Sequence, residues 1–183
     1  MIGRFLNCLR DLIRNPGGIA AIEFGFAFPV MVIMFCGLWE VAMALIVYMK
    51  VIDVADTVSD LTAQYKTVST TDFDNFLTAG KLVMLPDSGT SLGLAVASVT
   101  FAGGTGTPSV AWQVTRGGAS AMTDAAGAAT GLGSGGDSVI VAQASYNYTS
   151  LLKYLIPNGI TITSRVFSRP RFVTSIPCTA PCT

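Results

Sequence analysis

A lone carboxylate, Glu23, stands in the stretch Gly17-Gly18-Ile19-Ala20-Ala21-Ile22-Glu23-Phe24, at the mouth of a membrane-length apolar run. An isolated charge in hydrocarbon is costly, so an ionisable group placed there is a functional-site candidate by default. A second one, Glu40, lies late in the same run. Four cysteines are present: Cys8 in a basic leader, Cys36 in the apolar run, and Cys178 and Cys182 framing CTAPC near the end. Only the last two look like a pair. They lack the further ligands that a metal site needs. The chain has no histidine, which removes histidine metal sites and every Ser-His or Cys-His arrangement. Gly89-Thr90-Ser91-Leu92-Gly93 fits G-x-S-x-G. A nucleophile elbow also needs a triad histidine and a strand-turn-helix setting, and the residues after Gly93 read as a strand. Gly131-Leu132-Gly133-Ser134-Gly135-Gly136 fits G-x-G-x-x-G, yet a strand pattern comes after it where a dinucleotide site needs a helix. Asn147-Tyr148-Thr149 is a glycosylation sequon by pattern alone. No residue set supports catalysis, so the expectation is a protein that is not an enzyme, with no catalytic residue, metal or cofactor.

The elements that must position these residues follow from composition and periodicity. The chain has 183 residues, enough for one modest domain plus an anchor. It is 51% hydrophobic and 12% charged, against about 25% charged in soluble domains. Arg4, Arg10 and Arg14 make the start of the chain basic. No basic patch interleaved with aromatics occurs elsewhere, so nucleic acid is not an expected partner. From Phe24 to Tyr48 run twenty-five residues with one charge, Glu40; about 20 suffice to span a bilayer. Pro29 removes one backbone donor from this helix. Arginines precede the run, while Lys50, Asp53, Asp56 and Asp60 come after it. The positive flank stays cytoplasmic, which places the N-terminus inside and the rest outside.

Val51, Val54, Ala55, Val58, Leu61, Thr62 and Tyr65 recur at helical spacing, with Asp53, Asp56, Asp60 and Gln64 on the other side. The helix therefore continues past the lipid, over residues 19–65 and roughly 70 Å at 1.5 Å per residue. Its membrane part is about 24–48 and its amphipathic part about 49–65. Three fates compete for the segment. Ala42-Met43-Ala44 matches a secretory cleavage pattern that would start the mature chain at Leu45, but the apolar run is too long for a signal peptide. A lipoprotein cut at Cys36 is discarded because the bulky Phe35 precedes it. In the third, a leader is removed and the segment is kept, which the amphipathic continuation favours.

The combination of basic leader, glycine, four small or apolar residues, Glu23, the aromatic Phe24 and an apolar run containing Pro29 resembles the N-terminus of the TadE-like family, pilin-like proteins of tight-adherence (Flp-type) pilus systems. The resemblance implies a leader over 1–18, cut by a membrane prepilin peptidase between Gly18 and Ile19, so that Glu23 becomes the fifth mature residue and Phe24 the sixth. It implies that the Ile19 amine of one subunit pairs with Glu23 of a neighbour and sets the axial register. Desolvating two charges together specifies more than it stabilises. Glu40 sits where such proteins often carry a second acidic residue; near the outer interface it is either part of the assembly or simply solvated. The stretches VIVAQASYNYTSLL and ITITSRVFSRPR are similar, more loosely, to the closing strands of that family. The implied partners are the prepilin peptidase, other pilin-like subunits, the inner-membrane assembly platform and the bilayer. The implied location is the bacterial inner membrane, single-pass, with a periplasmic C-terminal domain, and in association with a pilus. Fibre subunits of such systems are much shorter, so the role implied is a minor subunit in initiation or assembly. The alternative is an uncut single-pass protein with a periplasmic binding domain.

Residues 66–183 are expected to form an α+β domain. Thr71 caps a short helix over Asp72–Leu82, followed by strands SLGLAVASVTF, SVAWQVT, SVIVAQASYNY and ITITSRVFS. The small-residue stretch 117–136 reads as a flexible loop. The four strands make an antiparallel sheet on the outer half of the long helix. In an oxidising periplasm Cys178 and Cys182 form a disulfide, whose short loop contributes ~2 kcal/mol at most and serves to pin the tail.

Overall fold

The computed structural model describes residues 16–150, 159–179 and 182. The leader ahead of Pro16, with Cys8, and most of the connection TSLLKYLIPNG lie outside the described residues. The chain divides into two compact units, Met1–Met43 and Ala44–Thr183. Helix α1 (Pro16–Ala63) belongs to both. It begins three residues earlier than the spacing argument places it, and the reason is Pro16. The first helical position leaves its N–H unpaired anyway, so proline fits there.

In the first unit, every residue from Ala20 to Phe35 is exposed. Phe26 is 79% exposed and Met34 70%, so the helix is apolar all round and compatible with a membrane anchor. This is the one helix among the described residues long and apolar enough to cross a membrane.

In the second unit, α1 turns amphipathic as expected. Val47, Val51, Val54, Ala55 and Val58 are buried, while Asp53, Asp56 and Asp60 face out. The helix ends at Ala63, two residues short of Tyr65, which is 37% exposed and stacks edge-on with Phe76. The closing contact comes from far along the chain. The Arg171 N–H donates to the Ala63 carbonyl at 3.0 Å, and the Arg171 guanidinium reaches Asp60 at 2.9 Å. A helix's last carbonyls need such a donor.

Helix α2 (Thr70–Val83) starts earlier than the Thr71 cap that the sequence suggests. Ser69 is the cap residue. The Asp72 carboxylate accepts from the Ser69 N–H at 2.8 Å and from the Ser69 hydroxyl at 2.7 Å. Aspartate three residues after serine closes the first turn as a capping box does. Phe73 and Phe76 carry the buried face of α2.

The sheet has the expected four antiparallel strands: β1 (Leu92–Phe101), β2 (Pro108–Arg116), β3 (Ser138–Tyr148) and β4 (Ile160–Ser168). Their order is β2-β1-β3-β4, with a bulge between Ser98 and Val99 where β1 meets β2. The architecture is α+β. One face of the sheet packs Leu94, Val96, Trp112, Val114, Ile140, Ala142 and Ala144 against α1 and α2.

The other face departs from expectation. The stretch 117–136 is not a loose loop over this face. It contains a short helix, α3 (Ala125–Ala128), and lays Met122, Ala125 and Ala129 on Ala95, Ala97, Val99, Val139 and Val141. The alanines of β1 let the stretch approach closely. Gly117 begins it at φ +64°, and a Cβ there would run into the Leu92 carbonyl oxygen. The Arg165 guanidinium grips both carboxylate oxygens of Asp124 at 2.9 Å and also bonds Gln143. That hydrogen bond, with the guanidinium charge, holds the Asp124 carboxyl below its ordinary 3.8. A lowered carboxyl contributes stability above its unfolded value, and this is lost as pH falls through the folded one. The expected outcome is that α3 amides, corrected for intrinsic exchange, lose protection as pH falls below the ordinary aspartate range. Asp124→Asn should remove that pH dependence.

Candidate functional site

Glu23 lies in the second turn of α1 counted from Ile19, on a side chain exposed to the surroundings. The spacing i, i+4 puts position 19 and Glu23 on one side of the helix, a turn apart. Phe24 stacks on Phe28 with ring centroids 5.5 Å apart. Gly18 also falls inside the helix, in its first turn. That turn is its weakest part, since Gly17 and Gly18 are poor helix formers and the leading N–H groups have no intrahelical acceptor.

The charges at this end have a simple logic. A helix N-terminus already carries a partial positive charge. A free amine at Ile19 would add a full one, with unfavourable interaction along the axis. A carboxylate one turn on offsets both. In apolar surroundings an amine and a carboxylate satisfy each other only when both are desolvated together. Glu23 is exposed, and so are Ile22, Phe24 and Phe26 beside it in the chain.

Glu40 is not solvated. It is 3% exposed, while Trp39 and Val41 on either side of it are each 56% exposed. Nothing in its sequence neighbourhood signals this. Cys36 is half-buried and is the free cysteine among the described residues. Cys178 and Cys182 are joined in a disulfide. Cys178 forms a parallel bridge with Val68, supported by bonds from Val68 N–H to the Pro177 carbonyl and from Thr179 N–H to the Val68 carbonyl. The tail is thus held by backbone pairing, by the burial of Ile176 and by a bond from the Trp112 indole to the Ile176 carbonyl at 2.7 Å.

The tyrosines of VIVAQASYNYTSLL and the last two arginines of ITITSRVFSRPR are structural anchors. Tyr146 and Tyr148 are buried on the helix side of the sheet. The Tyr146 hydroxyl donates to the Ser88 carbonyl at 3.0 Å. Arg169 bonds the Leu132 carbonyl, and Arg171 closes α1. The Gly89–Gly93 and Gly131–Gly136 matches are a 3₁₀ turn entering β1 and a turn after α3, neither with the context its motif requires.

A cleft escapes the sequence reading. The second face of the sheet, beyond α3, holds about 320 Å³ lined by Gly93, Gln143, Ser145, Asn147, Thr161 and Thr163, all uncharged. The signal lies in the alternation of β3 and β4, where positions 143, 145, 147, 161 and 163 are polar at period two. Among the described residues no cluster of ligating side chains could hold a metal.

Compared with protein-family models, residues 18–60 match the TadE-like protein family. The match opens on Gly18, contains Glu23 and Glu40, and stops before α1 ends. No curated protein and no solved structure matches the chain.

Proposed function

With residues 18–60 as a TadE-like segment, we infer that the chain is a pilin-like minor subunit of a bacterial tight-adherence (Flp-type) pilus system. It is cut by a prepilin peptidase after Gly18 and acts in initiating or assembling the pilus. The observation that carries the reading is the order Gly18, Ile19, Glu23, Phe24 at the start of an exposed, membrane-length apolar helix. The cut bond lies in a glycine-weakened first turn, where a protease can open the backbone at little cost. Before assembly the helix sits in the inner membrane, its N-terminal side cytoplasmic and the domain periplasmic. It leaves the bilayer by exchanging lipid for the helices of other pilin-like subunits, at a platform in the same membrane. The role is structural, not enzymatic.

The polar cleft favours a second reading, an uncut anchored protein whose domain binds a ligand. One measurement separates the two. Intact mass and terminal sequencing of the protein extracted from its host's membranes should give a mature chain starting at Ile19. A start at Met1 would sink the pilin reading, and a start at Leu45 would sink both.

A further inference from the structure

We propose that the turn ending α2, with Leu82 and Leu85 at its surface, is a second membrane contact, seated at the headgroup–acyl boundary of the leaflet on the domain's side. This rests on reading α1 as a membrane anchor. It does not depend on cleavage or on assembly.

The direction of α2 is the first observation. A Cβ built on Gly80 would lie 3.1 Å from Val54 Cγ1. One turn further along α2, the Met84 carbonyl accepts from Lys50 Nζ at 3.3 Å. A step from 80 to 84 on α2 therefore matches a step from 54 back to 50 on α1. The two helices run antiparallel here, and α2 descends toward the N-terminal end of the α1 part of this unit. Lys50 is the residue at which the uncharged stretch after Glu40 stops, so the α2 turn arrives where the lipid-compatible part of α1 ends.

The second observation is what the turn presents. Leu82 is 65% exposed and Leu85 61%, beside the exposed Pro86. On α1, Ile46 lies one turn below Lys50 on the same side and is 43% exposed; Leu45 and Met49 are 57% and 55% exposed. Single exposed apolar residues need no explanation, but these gather at one end of the domain, where the chain's apolar run stops. Tyr48, two residues before Lys50, is 46% exposed, and amphipathic aromatics collect at membrane boundaries. The charges suit the same boundary. Lys50 is paired with Asp87 at 2.6 Å, so it enters as a neutral pair. Lys81 is exposed on the turn before Leu85, with a stem long enough to reach headgroup phosphates. An apolar turn with a basic residue beside it is the make-up of an interfacial contact.

The test is spin-label accessibility in the full chain, reconstituted in phosphatidylcholine–phosphatidylglycerol vesicles. Cys8→Ser and Cys36→Ser clear the background, and Cys178 and Cys182 are already joined. Single labels go on Leu82→Cys, Leu85→Cys, Met34→Cys within the anchor, and Thr105→Cys at the far end of β1. The expected ratio of oxygen to nickel-chelate collisions at 82 and 85 is several-fold that at 105, and approaches that at 34. A high ratio at 34 with values at 82 and 85 equal to that at 105 overturns the second contact and leaves the anchor standing. A low ratio at 34 removes the anchor reading and the inference with it. Low collision rates with both reagents at 82 and 85 mean that protein covers the turn, which also overturns the proposal.

Discussion

Glu23→Ala is expected to leave the protein in the membrane, with its mature start still at Ile19, and to abolish its recovery with other pilin-like subunits. On the function proposed above, the cut depends on the glycine ahead of it, so processing should persist. What is lost is the partner of the new amine. Breaking a buried charge pair by removing one member costs about 3–5 kcal/mol, because the other charge is left alone in apolar surroundings. In an association constant that is roughly a hundredfold to several thousandfold. Co-purification from crosslinked membranes reads it directly. Glu23→Gln should fail nearly as badly, since it keeps the shape and drops the charge. Glu23→Asp, shorter by one methylene, should recover part of the association. Wild-type recovery of Glu23→Ala would mean that Glu23 is a hydrated headgroup-level residue with no part in assembly.

Trp112→Ala should be the most damaging single change in the domain. Trp112 is 9% exposed, packs edge-on against Phe73 with centroids 5.7 Å apart, and donates to the Ile176 carbonyl. Truncation leaves a cavity between β2, α2 and the tail, at about 3–5 kcal/mol. It also strands a buried carbonyl, worth about 1–3 kcal/mol more if no water reaches it. Thermal melts of the full chain in detergent should show a large drop. Trp112→Phe, which keeps most of the packing and loses the donor, should fall between. If the two variants match, the indole bond contributes nothing measurable and packing alone carries the position.

What can be read from the sequence divides by the kind of signal. The anchor and its amphipathic continuation rest on long periodic runs, so Val51, Val54, Ala55 and Val58 fall where periodicity puts them. The four strands are legible from period-two alternation between glycine-rich turns. Short-range chemistry is harder. Ser69 and Thr71 both precede an apolar run, and only the Asp72 carboxylate folding back on Ser69 decides between them. The stretch 117–136 is mostly loop, as its composition reads, but composition does not show that it packs on the sheet through one short helix. Met122, Ala125 and Ala129 are its buried residues, and only Ala125 of them lies in α3. The end of α1 at Ala63 is not legible, because Arg171 sets it from across the chain. The burial of Glu40 has no local signal either. The opposite holds at Gly18, Ile19, Glu23 and Phe24, where a linear order of residues carries the reading and the fold adds only the helix beneath it.

The long helix is made early and closed late. Arg171 and Thr179 each meet a residue 111 positions earlier, Asp60 and Val68. A chain emerging from synthesis has its anchor in place while the far end of that helix still has open carbonyls. These contacts cannot form until Arg171 and Thr179 have been made. A product cut short anywhere before Arg171 therefore keeps its anchor but carries an unlocked domain, with Val68 unpaired and the underside of Trp112 bare. Limited proteolysis should cut such a chain faster than one that carries these contacts.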